Sequence, residues 1–237
     1  MRHQMVVTDI TRMSGRRVCV AGYLEDGTCV RPVCAGGPTE DWLKPLGSED
    51  VTTFSVVQLD LRPTSNQIVA PHTEDQWTPA SGHRVIRRLS HDDRKQLLRR
   101  TLSPNVRSIF GAEVHLDGGT WGRYVASGEG TRSLGTIQPI SLNETKLENY
   151  GGKLDLRLRF TDATGEQWRL KVVDLDLLNT IRESLLSGAG DVNEAQEVVH
   201  DAVTGIDLFL RLGLTRHWTL HPDRCYLQIT AVEGFPN

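Results

Sequence analysis

The stretch from Lys153 to Val172 limits the possible folds more than any other part of this chain. Leu154, Leu156, Leu158 and Phe160 alternate with Asp155, Arg157 and Arg159. After Asp162-Ala163-Thr164-Gly165 the pattern resumes, with Trp168, Leu170 and Val172 set against Gln167, Arg169 and Lys171. A period of two puts successive side chains on opposite faces of a strand, so these residues predict an antiparallel hairpin with one face buried and one wet. A second hairpin is predicted near the N-terminus, where Arg17–Gly22 and Thr28–Val33 flank Glu25-Asp26-Gly27. An Asp-Gly pair supplies the backbone angles that a tight hairpin turn requires.

Further elements surround each hairpin. Val6–Thr8 and Thr52–Leu61 read as strands, the latter stopped by Pro63, which cannot donate to a ladder. Ser90 followed by Asp93 resembles a capping box for a helix over 90–102, with Leu97, Leu98, Thr101 and Leu102 on one stripe and Pro104 as its end. Gly111 to Gly130 is Gly-rich and irregular and marks a domain boundary. Leu175, Leu178, Ile181 and Leu185 predict an amphipathic helix stopped at Gly188, Asn193–Val203 a shorter one, and Cys225–Val232 a last strand. The chain's 237 residues fit two compact domains of roughly 100 residues each. The expected boundaries are 1–118, carrying the basic helix, and 119–237. Five short strands with a helix between the third and fourth is the plan of the OB barrel. The predicted fold is therefore mainly β with a few helices, built as two tandem OB-like barrels.

Composition narrows the function. No run approaches the roughly 20 apolar residues of a membrane span, and residues 1–15 have no apolar core of signal-peptide length. A cytoplasmic location with no membrane partner is expected. Cys19, Cys29, Cys34 and Cys225 form no C-x-x-C pair and read as structural thiols, not metal ligands. The eight histidines include no H-E-x-x-H motif, and no nucleophile elbow, P-loop or dinucleotide fingerprint occurs. No catalytic residue, metal or cofactor is expected, although a metal-dependent hydrolase assembled from distant ligands stays a third reading.

Three segments resemble the bacterial dual OB domain-containing proteins. They are T-D-x-T-R-M-S-G-R-R-V-C-V-A-G (Thr8–Gly22) with the following D-G-x-x-V-R-P-V, then Ser133–Ile137, and G-L-T-R-H-W…C-Y-L-Q-I-T-A-V-E-G-F-P (Gly213–Pro236). After this Phe-Pro the family continues with an acidic residue, where this chain has Asn237. The resemblance implies paired OB domains and association with nucleic acid or nucleotides, in the setting of a bacterial antiviral defence complex. It implies no particular chemistry.

Charge placement supplies the candidate sites. The chain is net −3, yet between His83 and Arg107 eight basic residues face only Asp92 and Asp93. Arg94, Arg99 and Arg100 of that segment can face phosphates or an acidic protein partner. Arg157, Arg159, Arg169 and Lys171 share the wet face of the second hairpin, where OB barrels bind oligonucleotides, although any solvated sheet face shows the same pattern. Arg12, Arg16 and Arg17 flank the Ser14-Gly15 turn, and Arg216 and Trp218 combine a charge with a stacking surface near the last strand. The leading expectation is a non-catalytic, OB-type protein that binds nucleic acid, single-stranded by preference. The alternative is an adaptor that docks an acidic partner.

Overall fold

The computed structural model describes residues 2–64, 68–118, 120–188, 190–217 and 219–236 and is mainly β. The first part of the chain forms β1 (Arg2–Arg12), β2 (Val18–Leu24), β3 (Cys29–Val33), β4 (Ser55–Asp60), β5 (Arg62–Pro63), β6 (Asp75–Trp77), β7 (Arg84–Arg88) and helix α1 (His91–Arg100). Then follow β8 (His115–Leu116), β9 (Arg123–Ala126), β10 (Leu134–Ile137), β11 (Ser141–Tyr150), β12 (Lys153–Thr161) and β13 (Gln167–Val172). Helices α2 (Leu175–Leu186) and α3 (Val192–Val203) precede β14 (Asp207–Leu214) and β15 (Arg224–Phe235). No helix among the described residues is long and apolar enough to cross a membrane.

The first sheet has the order β5-β6-β3-β2-β1-β4-β7, all antiparallel except β3 with β6. Because β6, next to one end of this path, and β7, at the other, follow one another in the chain, the sheet curls. The β2–β3 turn closes as predicted: Leu24 N–H donates to the Thr28 carbonyl at 2.9 Å, and Gly27 takes φ 85°. The strand predicted over Thr52–Leu61 begins only at Ser55, because Phe54 sits at φ 64° with its N–H turned to the Val7 carbonyl. Met5, Val7, Ile10, Val20, Val30, Trp42 and Leu59 fill the interior. A bulge between Val7 and Asp9 interrupts β1, and five consecutive residues, Val7 to Thr11, are buried. Such bulges re-aim a side chain, and here Val7 and Ile10 join the core while Asp9 meets the second sheet.

The second sheet has the order β10-β14-β15-β13-β12-β11, with β9 added beside β15 and β8 beside β9. Its ends, β10 and β11, are consecutive in sequence, and β13 runs parallel to β15. The alternating hairpin pairs Leu156 with Val172, Leu158 with Leu170 and Phe160 with Trp168, all buried. Each large apolar side chain so removed from water contributes about 2–3 kcal/mol. Asp162 fixes the turn by accepting from Thr164 N–H at 3.0 Å and from the indole N–H of Trp168 at 3.1 Å. The same core takes in Val106, Ile109, Phe110 and Val114, from ahead of the 118/119 boundary that the sequence suggests.

The two sheets share a seam. Leu97 and Leu98 of α1 join Tyr23 and Phe54 from one side and Phe209 and Phe235 from the other in a single apolar cluster. Arg211, fully buried on β14, donates to Asp9 at 2.9 Å, to Tyr23 Oη at 2.8 Å and to Thr136 Oγ1 at 2.8 Å. Burial opposes the Arg211 charge, but Asp9 together with Tyr23 and Cys29 outweighs it and raises the pKa above the ordinary guanidinium value. Thr8 and Thr230 hydroxyls complete the shell around Asp9.

A second acidic group at the seam has the opposite character. Burial, reinforced by Asp174, pushes the Glu233 carboxyl up to about 8, and burial pushes Asp174 up to about 6. A carboxyl whose folded-state pKa is raised favours folding fully below its unfolded value, and that contribution is lost as pH rises through the folded value. Between about pH 4.5 and 8, Glu233 therefore makes folding progressively less favourable. Glu233→Gln, which mimics the protonated form, is expected to melt higher than wild type at pH 8 and to converge with it near pH 5. The difference should grow steadily from pH 5 to pH 8. Parallel melting curves across that range would contradict the assignment.

Candidate functional site

Where the sheets meet beside this seam, they enclose a cavity of about 890 Å³. Its floor is the outer side of β2 and β3, presenting Cys19, Ala21, Arg31 and Val33. One wall is the β1–β2 turn. Met13 N–H donates to the Arg17 carbonyl at 2.8 Å, Gly15 takes φ 68°, and Arg17 donates to Ser14 Oγ at 2.7 Å. The loop after β3 continues the same wall, with Gly36 and Gly37 at φ 76° and 79° and the Pro38 carbonyl accepting from Val18 N–H at 2.9 Å. The roof comes from the other sheet: Gly213 to His217 leaving β14, and Tyr226, Gln228 and Thr230 of β15. A smaller cavity of about 220 Å³ lies beyond Arg216, His217 and Val33, which line both spaces.

The lining is cationic. Arg12, Arg17, Arg31 and Arg216 line the larger cavity, and its one acidic residue, Asp9, is committed to Arg211. Asp75, lining the smaller cavity, holds Arg31 Nε at 2.6 Å and Arg216 Nη2 at 2.5 Å. Burial works to raise the Asp75 pKa, and the two guanidinium groups outweigh it and hold the carboxyl below its usual range. Arg31 exposes only 6% of its side chain. Its Nη1 donates to Ser133 Oγ at 3.3 Å, and its Nη2 is buried without a partner. Leaving a buried donor unsatisfied costs roughly 1–3 kcal/mol, more for a charged group. A bound ion, water or ligand can supply the missing acceptor.

Glu74 holds the other side of this arrangement. Its carboxylate accepts from Ser133 N–H at 2.6 Å, Leu134 N–H at 3.2 Å and Ser133 Oγ at 2.9 Å, while its carbonyl accepts from Arg31 N–H at 2.8 Å. His72, in the smaller cavity, places Nε2 3.2 Å from the Thr215 carbonyl and leaves Nδ1 buried and unpartnered. Burial, then the charges of Arg31 and Arg216, push its pKa down to about 3.

Of the residues singled out in the sequence, Arg12, Arg17 and Arg216 come together in this cavity. Arg16 stands beside it, paired with Glu40 and Asp41. Arg12 is paired with Glu40 at 3.0 Å. Trp218 lies outside the described residues. Arg157, Arg159, Arg169 and Lys171 stand on the wet face of β12 and β13, with Arg157 and Lys171 paired to Asp155 and Arg159 to Glu144. In α1, Arg94 lies over the Phe54 ring, and Lys95 and Arg99 pair with Asp207 at 2.7 and 3.4 Å. Much of that basic segment therefore binds the helix to the rest of the chain, leaving Arg100 with Arg87 along a shallow groove against β1 and β4.

Arg31, His72, Glu74 and Asp75 were not expected. The signal for Arg31 was a charge in the middle of a run otherwise read as a buried strand, Cys29-Val30-Arg31-Pro32-Val33. Burial holds the Cys19 thiol above its ordinary range and pushes Cys29 up to about 12, so neither is a thiolate near neutral pH. Among the described residues no three His, Cys, Asp or Glu side chains gather as metal ligands would. No protein-family model and no curated protein matches the chain.

Proposed function

We propose that the protein is an OB-type, non-catalytic binder of single-stranded nucleic acid and that it takes the strand into the cavity between its two sheets. The observation that carries this is Arg31: a deeply buried guanidinium with an unfilled donor, in a cavity whose other charged lining groups are chiefly cationic. Strand wiring supports the OB assignment in both sheets. Each has an antiparallel meander of three strands, a helical segment before the fourth strand, and a parallel pairing of the third strand with the last, β3 with β6 and β13 with β15. In the first sheet the fifth strand is split into β6 and β7; in the second the first is split into β10 and β11. OB barrels bind strands on the face of strands 2 and 3, flanked by the loop joining strands 1 and 2. Those are the elements that form the cavity floor and the wall carrying Arg17.

A cation that neutralises a phosphate releases a counterion, so affinity should fall with added salt. Fluorescence anisotropy with labelled oligo-dT and oligo-U at two salt concentrations is expected to show tighter binding at the lower one. Arg17 makes its only side-chain hydrogen bond among the described residues to Ser14, so Arg17→Glu should leave the fold intact. It should weaken binding about tenfold, equivalent to about 1.4 kcal/mol. Absence of binding at low salt, or an Arg17→Glu affinity equal to wild type, would overturn the proposal. Loss of binding in Arg157→Glu/Arg159→Glu with Arg17→Glu unaffected would move the strand to the β12–β13 face.

A further inference from the structure

The two cavities share Val33, Arg216 and His217 as a common wall, and each is lined by a residue with one buried polar atom that has no partner. In the larger it is Arg31 Nη2, a donor. In the smaller it is His72 Nδ1, and its chemistry is fixed by the rest of the ring. The Thr215 carbonyl facing Nε2 can only accept, so Nε2 carries the hydrogen and Nδ1 presents a lone pair. His72 is itself buried. The depressed imidazole pKa keeps the ring neutral near pH 7, so Nδ1 stays an acceptor. Thus a cationic compartment wanting an acceptor adjoins a compartment wanting a donor.

The smaller compartment is otherwise apolar on one side. Val33, Ile68, Val69 and Ala70 form that side, and Ile68 and Val69 are about half exposed, a hydrophobic surface left for something to cover. Its 220 Å³ is the room of about seven waters at about 30 Å³ each, enough for one planar heterocycle and too little for two. Apolar walls with a few convergent polar groups are the usual design of a small-molecule pocket.

From this geometry we infer that the two cavities are one bipartite pocket for a single nucleoside monophosphate unit. Its phosphate meets Arg31, Arg17 and Arg216, and its base lies in the smaller compartment with an N–H or NH₂ group donating to His72 Nδ1. This rests on the nucleic-acid reading above for the placement of phosphate, and it adds a base pocket and a unit of recognition. The same chemistry is offered by a free nucleotide and by the terminal nucleotide of a strand.

The test is calorimetric titration of the full chain with AMP, as its 5′ and 3′ isomers, and with adenosine and inorganic phosphate. AMP is expected to bind at least tenfold tighter than either fragment. Arg31→Met should reduce AMP to the level of adenosine, and His72→Phe should reduce it to the level of phosphate. Where Arg31→Met fails to fold, Arg31→Lys keeps a charge for Asp75, removes the Nη2 donor, and should weaken AMP by about tenfold. Competition against an oligonucleotide with and without a terminal phosphate separates the sources. Displacement of the phosphorylated strand by AMP identifies a strand end. AMP binding with no oligonucleotide binding identifies a free nucleotide, sustaining the pocket and overturning the single-strand reading. Oligonucleotide binding that is indifferent to AMP, to Arg31→Lys and to His72→Phe overturns the pocket and leaves that reading standing. Absence of both kinds of binding overturns both.

Discussion

Asp9→Ala is expected to destabilise the protein by about 3–5 kcal/mol, the range observed when one member of a buried ion pair is removed. Arg211 has no exposure to solvent, and Asp9 is its only carboxylate partner among the described residues. Tyr23 and Thr136 supply two further acceptors, but neither carries charge. Removing Asp9 therefore leaves a buried guanidinium without its counter-charge, with the Thr8 and Thr230 hydroxyls also stripped of their acceptor. The double variant Asp9→Ala/Arg211→Met removes the charge from both sides and should recover part of the loss, because apolar replacement of a whole buried pair is often close to neutral. Urea denaturation of the two variants is the measurement. If the double variant were less stable than Asp9→Ala, the pair would not be the source of the effect.

How much of this could be read from the chain depends on periodicity. The β12–β13 hairpin was legible because one face is buried and the other wet, so the alternation survives intact from Leu154 to Val172. β14 was not, because residues 208–214 are all buried and a strand covered on both faces shows no alternation. β11 has only Thr145 and Leu147 buried, and a bulge between Leu142 and Glu144 shifts its phase. β6 and β7 are three and five residues long, too short to carry a period.

The site was legible as fragments. Arg12, Arg16 and Arg17 were flagged in one loop and Arg216 roughly 200 residues away, and nothing local says that these share a cavity. The segments that carried the resemblance, Thr8–Gly22, Ser133–Ile137 and Gly213–Pro236, do converge on it: each contributes lining residues. Which cations of the basic helix stay free was not legible, for a physical reason. Charge density along a sequence does not show which cations will be spent on neighbours, and Lys95 and Arg99 are spent on Asp207.

Glu74→Ala should damage both the fold and the cavity. The carboxylate is buried, and it holds two backbone N–H groups and a hydroxyl at the start of β10. Hydrogen bonds to charged groups contribute about 1.5–3 kcal/mol each, not additively, so a loss of about 3–5 kcal/mol is expected. Ser133 Oγ in turn accepts from Arg31, so a slack Ser133 frees the guanidinium that the cavity depends on. Glu74→Gln keeps the side chain's length and one carbonyl acceptor, and the Ser133 hydroxyl can rotate to accept from the new amide. It should lose about 1–2 kcal/mol and retain most of the ligand affinity. Hydrogen exchange read at Ser133 and Leu134 separates the two variants, with fast exchange in Ala and near-native protection in Gln. Equal protection of those amides in Ala and wild type would mean that Glu74 fills space and does not organise the site.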